Sequence, residues 1–145
     1  MDQPTNAPST LPRALVVEDE DIVRELVALV LEDLGVETVI TKSADEGLAE
    51  FEKDPGAWDL VVTDVMTPGR RNGHDLAWAV AQARPELKII VLSGYPRNPA
   101  KRYPDTATYL VKPWSIPQLQ RLVNTAVRRS SGDRSVFPEG AGRFE

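Results

Sequence analysis

Leu60-Val61-Val62-Thr63-Asp64-Val65-Met66-Thr67-Pro68-Gly69, residues 60–69, begins as an apolar run and stops on one carboxylate, Asp64. The apolar part reads as a buried strand, and Pro68-Gly69 as the loop that leaves it. An aspartate at a strand end can be a turn residue that hydrogen-bonds the backbone two positions on. Its meaning therefore depends on what other segments bring to the same edge.

Outward from that stretch the chain repeats one pattern. Ala14-Leu15-Val16-Val17 is a β-branched apolar run that ends on Glu18-Asp19. Ile22, Val23, Leu26, Leu29, Val30 and Leu34 then recur at three and four, predicting a helix stopped at Gly35. Val36–Thr41 alternates as a strand, and Ser43-Ala44-Asp45-Glu46 is a capping box that opens a second helix, halted by Pro55-Gly56. Trp58–Thr63 is the strand of the opening stretch, and Gly73–Arg84 a third helix. Leu87–Leu92 is the most apolar strand and ends on Ser93-Gly94. Ala107–Val111 is a fifth strand that delivers Lys112. Ser115-Ile116-Pro117-Gln118 caps a closing helix with Leu119, Leu122, Val123, Ala126 and Val127 at helical spacing. Residues 1–12 read as a flexible arm, 13–129 as one folded domain, and 130–145 as a flexible tail.

Strands alternating with helices predict an α/β fold, with a parallel sheet covered on both faces. Five strands suit the flavodoxin-like, doubly wound order 2-1-3-4-5, in which strands one and three meet at the switch point and their carboxyl ends line a crevice. Glu18 and Asp19, Asp64, Ser93 and Lys112 would then converge on one edge of the sheet. The opening aspartate becomes the centre of a site.

The bulk composition narrows the classes. Hydrophobic residues make up 41% and charged residues 27% of 145, as in an ordinary globular domain. No window approaches a membrane span, and the N-terminus lacks the basic and apolar regions of a secretory signal. With no cysteine, disulfides and thiolate metal sites are excluded, and a cytoplasmic location is expected. A net charge of −5 offers no overall basic face for nucleic acid.

Clustered carboxylates repel one another unless a cation sits among them. The cation expected here is Mg²⁺, a hard ion that takes oxygen ligands. Beside it a carboxylate can attack a phosphoryl group and form an aspartyl phosphate, whose oxygens need a lysine or hydroxyl opposite the metal. On this reading Asp64 is the nucleophile, Glu18 and Asp19 bind the metal, and Ser93 and Lys112 contact the phosphoryl group.

The ordered pieces "VVEDED", "VVTDVMTPG...NG", "VLSGY" and "YLVKPW" resemble a response-regulator receiver domain (CheY-like), stand-alone or of the hybrid-kinase type, across about Arg13 to Arg129. The resemblance implies that Asp64 is the phosphoacceptor and that Glu18 and Asp19 are the acidic pair. It makes the Met66 backbone carbonyl the third metal ligand, Ser93 the switch hydroxyl, Lys112 the site lysine and Tyr109 the rotating aromatic. It also implies a cis Lys112–Pro113 peptide and a histidine kinase or histidine phosphotransfer protein as donor. Met66 and Tyr95, two residues beyond Asp64 and Ser93, are expected to flank the path of water to the phosphate and to lengthen its lifetime. The chain departs from the usual pattern at Thr67-Pro68, where Met-Pro is common, and at Arg70-Arg71, which is expected to bring positive charge near the site. Prolines 96, 99 and 104 leave room for barely a turn between Ser93 and Lys112, so a short or missing fourth helix is expected there. His74 is read as solvent-facing, and Trp58, Trp78 and Trp114 as packing or rim residues.

Other functions fit less well. A haloacid-dehalogenase-type phosphatase needs a second acid two residues after the nucleophile, where this chain has Met66, so no enzymatic turnover is expected beyond self-phosphorylation and self-dephosphorylation. A nucleotide or flavin binder needs a Gly/Ser/Thr-rich loop after strand one, where Glu18-Asp19-Glu20-Asp21 stands. A receiver-like interaction module working without phosphorylation is the remaining alternative. No DNA-binding segment follows within the sequence, so output is expected through protein contacts or phosphoryl relay.

Overall fold

The computed structural model describes residues 11–94 and 102–131, with side chains to residue 128. In chain order the elements are β1 (Arg13–Val17), α1 (Asp21–Asp33), β2 (Glu37–Thr41), α2 (Ala44–Lys53), a 3₁₀ turn (Pro55–Ala57), β3 (Leu60–Asp64), α3 (Gly73–Ala83), β4 (Lys88–Ser93), β5 (Ala107–Val111) and α4 (Ile116–Ser131). The five strands form one sheet in the order β2-β1-β3-β4-β5, with every pair parallel. This is the expected doubly wound topology.

Period-two alternation sorts the strand side chains between two cores. Ala14, Val16, Leu60, Val62, Ile90 and Leu92 face one side, where Val27 and Leu31 of α1 and Leu119 and Val123 of α4 cover them. Leu15, Val17, Val61, Ile89 and Val91 face the other, against Leu48 and Phe51 of α2 and Leu76 and Val80 of α3. Because both faces are covered, β3 is buried along its whole length, which is why its sequence shows no polar alternation.

The helix starts refine the sequence reading. Ser115 and Gln118 form the expected reciprocal box, with Gln118 N–H donating to Ser115 Oγ and Ser115 N–H to Gln118 Oε1. At α2 only half the box closes: Glu46 N–H reaches Ser43 Oγ at 3.1 Å, but the Glu46 carboxylate accepts from Lys42 N–H. A further box, Asn72 with Asp75, opens α3 and was legible as Asn-x-x-Asp. β3 begins at Leu60, after the 3₁₀ turn, and α4 carries on through Ser131 before Gly132. Most of the expected arm and tail lies outside the described residues. So do residues 95–101, on which the short or missing fourth helix was expected. The adjoining Arg102–Thr106 form no helix, and the described residues contain four α-helices.

Two sequence expectations change. His74 is half-buried rather than solvent-facing: its Nε2 lies 3.0 Å from Tyr103 Oη, with the rings 4.6 Å apart. Tyr103, from the segment before β5, provides an apolar surface that an isolated helix-start histidine does not reveal. The Arg71 charge is turned toward α2, where it pairs with Asp45 at 3.0 Å, and neither arginine is among the residues that line the crevice. The tryptophans pack as expected. Trp58 is buried under the Arg13 guanidinium, Trp78 sits on the rim with Nε1 donating to Arg102 O, and Trp114 packs on the α1–α4 core. No helix among the described residues is long and apolar enough to cross a membrane.

Candidate functional site

The parallel register assembles the site. Val17 pairs with Thr63, so the next residues, Glu18 and Asp64, arrive level with each other at the ends of β1 and β3. Glu18 is fixed there by its N–H to Thr41 O, at 3.1 Å. Asp64 pairs with Leu92 and Ser93 with Val111, which sets Ser93 and then Lys112 one step farther along the same edge. Lys112 N–H closes the corner on Ser93 O at 2.7 Å, and the Lys112–Pro113 peptide is cis, as the resemblance implied.

These ends surround a cleft of about 290 Å³ lined by Asp19, Glu20, Asp64, Val65, Met66, Ser93, Gly94 and Lys112. Carboxylate oxygens of Glu18, Asp19 and Asp64 lie within 4.8 Å of one another. Glu18, Asp64 and Ser93 are buried, and Asp19 is exposed. Asp64 Oδ1 accepts the Val65 N–H at 2.8 Å, which fixes the carboxyl rotamer at the strand end. α3 starts directly against that end: Gly73 N–H donates to Val65 O, and a Cβ on Gly73 would overlap the Asp64 carbonyl. Any residue but glycine there would have to displace the backbone that leaves β3.

Burial dominates the electrostatics. It pushes the Glu18 carboxyl up to about 7, with the nearby Asp64 charge adding and the Glu20 N–H and Lys112 opposing. Burial also raises Asp64, chiefly against the charge of Lys112. Glu18 Oε2 accepts the Glu20 N–H, while Glu18 Oε1 has no hydrogen-bond partner among the described residues. A buried carboxylate oxygen without a donor, beside two more carboxylates, is a donor set suited to a hard divalent cation. The residues present therefore fit Mg²⁺.

The structure brings together Glu18, Asp19, Asp64, Met66, Ser93 and Lys112. Met66 lies exposed on the rim of the cleft. Tyr109 stands outside it, half-buried and edge-on to Tyr103 with ring centroids 5.1 Å apart. Tyr95 lies outside the described residues. Sequence reasoning missed Glu20, whose Oε1 lies 3.7 Å from Lys112 Nζ. The acidic run after β1 pointed to a cation partner there, but not to which of its members would take Lys112.

A family model for the response regulator receiver domain matches residues 14–124. The chain is similar to the transcriptional regulatory protein PdtaR of Mycobacterium tuberculosis, 35% identical over 133 residues, which is 86% of this chain and 62% of that protein. It thus spans less than two thirds of that relative. Among solved structures, a CheY-like receiver domain protein from Methanospirillum hungatei matches with a TM-score of 0.73 at 25% identity, over 84% of this chain and 98% of that one. The response regulator TrrA of Thermotoga maritima, solved in complex with Mg²⁺-BeF, matches with a TM-score of 0.71 at 29% identity, over 80% of this chain and 99% of that one. Sheet order, the acid cluster at the switch point and these matches agree: the chain belongs to the response regulator receiver domain family.

Proposed function

We propose that Asp64 accepts a phosphoryl group from the phosphohistidine of a histidine kinase or histidine phosphotransfer protein, in a Mg²⁺-dependent step. The observation that carries this reading is the Glu18–Asp19–Asp64 carboxylate cluster at the end of β3, with Lys112 and Ser93 on the same cleft. Glu18, Asp19, Asp64 and the Met66 carbonyl would hold the Mg²⁺, whose charge offsets the acids and the phosphoryl oxygens. An Asp64 carboxylate oxygen forms the O–P bond as the donor P–N bond breaks, and the departing imidazole nitrogen takes up a proton. Lys112 exchanges its Glu20 partner for a phosphoryl oxygen, and the Ser93 hydroxyl donates to another.

Occupation of Ser93 then biases Tyr109, and through its edge contact Tyr103 and α3, toward a second arrangement. The readout is contact with a downstream protein in the cytoplasm, without turnover of a separate substrate, since Met66 stands where a phosphatase would place its acid. Incubation with acetyl phosphate tests the reading. The chain should be labelled with Mg²⁺ and not with EDTA, and Asp64→Asn should not be labelled. Labelling of Asp64→Asn equal to wild type would sink the assignment, and a wild-type chain that is not labelled would leave the module that works without phosphorylation.

A further inference from the structure

The residues at which the β3–α3 loop departs from the family pattern are engaged with α2. Asp45, in the first turn of α2, accepts the Arg70 backbone N–H on Oδ2 at 2.8 Å and the Arg71 guanidinium on Oδ1 at 3.0 Å. Beside it, Ala44 N–H donates to Thr67 Oγ1 at 3.1 Å, and that hydroxyl donates to Arg71 O at 3.3 Å. Gly69 lies between them with φ +106°, and a Cβ there would overlap Asp45 Oδ2. The loop backbone therefore lies flat on the carboxylate, which only glycine allows.

The other flank is equally fixed. Val65 N–H is held by Leu92 O and Asp64 Oδ1, and Val65 O accepts from Gly73 N–H. Met66 stands between these two anchors, on the rim of the cleft.

We propose that Asp45 is a positioning residue for Mg²⁺ binding: by clasping Thr67–Arg71 onto α2 it keeps the Met66 backbone at the cleft before the cation arrives. Without the clasp, a loop containing Pro68-Gly69 would have to be ordered by the metal itself, at a cost in affinity. Partners that orient a metal ligand without touching the metal typically change affinity by about 10- to 100-fold when removed. The Arg70 N–H and the Arg71 side chain hold the Asp45 carboxyl below its ordinary range, so the clasp stays charged near neutral pH.

The inference rests on the Mg²⁺-dependent reading above, and titration of the metal alone separates the two. Mg²⁺ is titrated calorimetrically into the wild-type chain, Asp45→Ala, Asp45→Asn and Arg71→Ala, with thermal unfolding in EDTA alongside. Asp45→Ala should bind Mg²⁺ about tenfold more weakly. Asp45→Asn should fall between it and wild type, because its amide oxygen still accepts the Arg70 N–H. Asp45 is half-buried and its bonds are at the surface, so unfolding in EDTA should move by no more than about 5 °C. Arg71→Ala, which keeps the Arg70 bond, should lose about twofold and serves if Asp45→Ala does not fold. Wild-type binding of Mg²⁺ with undiminished binding by Asp45→Ala, or by Arg71→Ala in its place, would overturn the clasp. So would equal losses in Asp45→Asn and Asp45→Ala, since charge alone would then account for the effect. A wild-type chain that does not bind Mg²⁺ would overturn the proposed function, and this inference with it.

Discussion

Replacing Glu18 with Gln keeps the shape of a fully buried side chain and removes its charge. In the folded chain burial holds the Glu18 carboxyl at about 7, against 4.5 for an unperturbed glutamate. Below the lower value both folded and unfolded chains carry the proton, and pH has no leverage on this group. Between the two values the folded chain keeps a proton that the unfolded chain has lost, so stability falls as pH rises through that window. Each tenfold difference in proton affinity is worth about 1.4 kcal/mol, so the loss from Glu18 reaches about 3 kcal/mol above pH 7. Asp64, raised by the same burial, adds in the same direction. Asp45 and Glu86 are shifted downward, and their effects fall at lower pH. In EDTA at about pH 8, Glu18→Gln should therefore unfold about 3 kcal/mol higher than wild type, or roughly 10 °C for a chain of this size. At about pH 4.5 the two should nearly coincide. Added Mg²⁺ should stabilise wild type strongly and the variant weakly, because the cation favours the ionised carboxylate that Gln lacks. Urea unfolding from pH 4.5 to 8, with EDTA or Mg²⁺, measures all of this. A difference between wild type and variant that stays flat across the pH range would refute the claim that Glu18 is a strained, protonatable acid awaiting a cation.

Removing the competitor for the site lysine, as in Glu20→Gln, should speed labelling by acetyl phosphate about twofold, the modest effect of a solvent-exposed ion pair; slower labelling would show that Glu20 assists the reaction. Lys112→Ala removes the charge that opposes the raised Asp64, and with it the donor proposed for the phosphoryl group, and should slow labelling about 100-fold at pH 7. A rate within a factor of three of wild type would remove Lys112 from the chemistry. Tyr103→Phe deletes the hydroxyl that meets His74 and should cost about 1 kcal/mol in urea unfolding while leaving Mg²⁺ affinity intact; unchanged stability would mean that the Tyr103–His74 bond does not hold that segment to α3.

The part of this molecule that could be read from sequence is the part that a parallel sheet fixes by register. Apolar runs that stop on Glu18, Asp64, Ser93 and Lys112 deliver those side chains to one edge once the strand order is assigned, because neighbouring strands end within one residue of each other. The contacts that escaped are side-chain choices between elements with no period linking them. Glu20 at the start of α1 reads like any first-turn acid, yet Lys112 lies beside it. Asp45 reads as part of a capping box, and only the fold shows that its carboxylate faces a loop 25 residues away. The same loop accounts for Arg71, whose charge is near the site in sequence but is paired with Asp45 on α2 in space. His74 failed for a similar reason, since Tyr103 reaches it across 29 residues.

In the proposed function Asp64 alone carries the phosphoryl group. Aspartyl phosphates are reduced by borohydride to homoserine, so borohydride treatment after exposure to acetyl phosphate marks the acceptor covalently, and peptide mass spectrometry locates it. Homoserine is expected at position 64 alone, formed with Mg²⁺ and absent in EDTA. Homoserine at Asp19 or another aspartate, or an unmodified Asp64 under conditions in which Mg²⁺ binds, would contradict it.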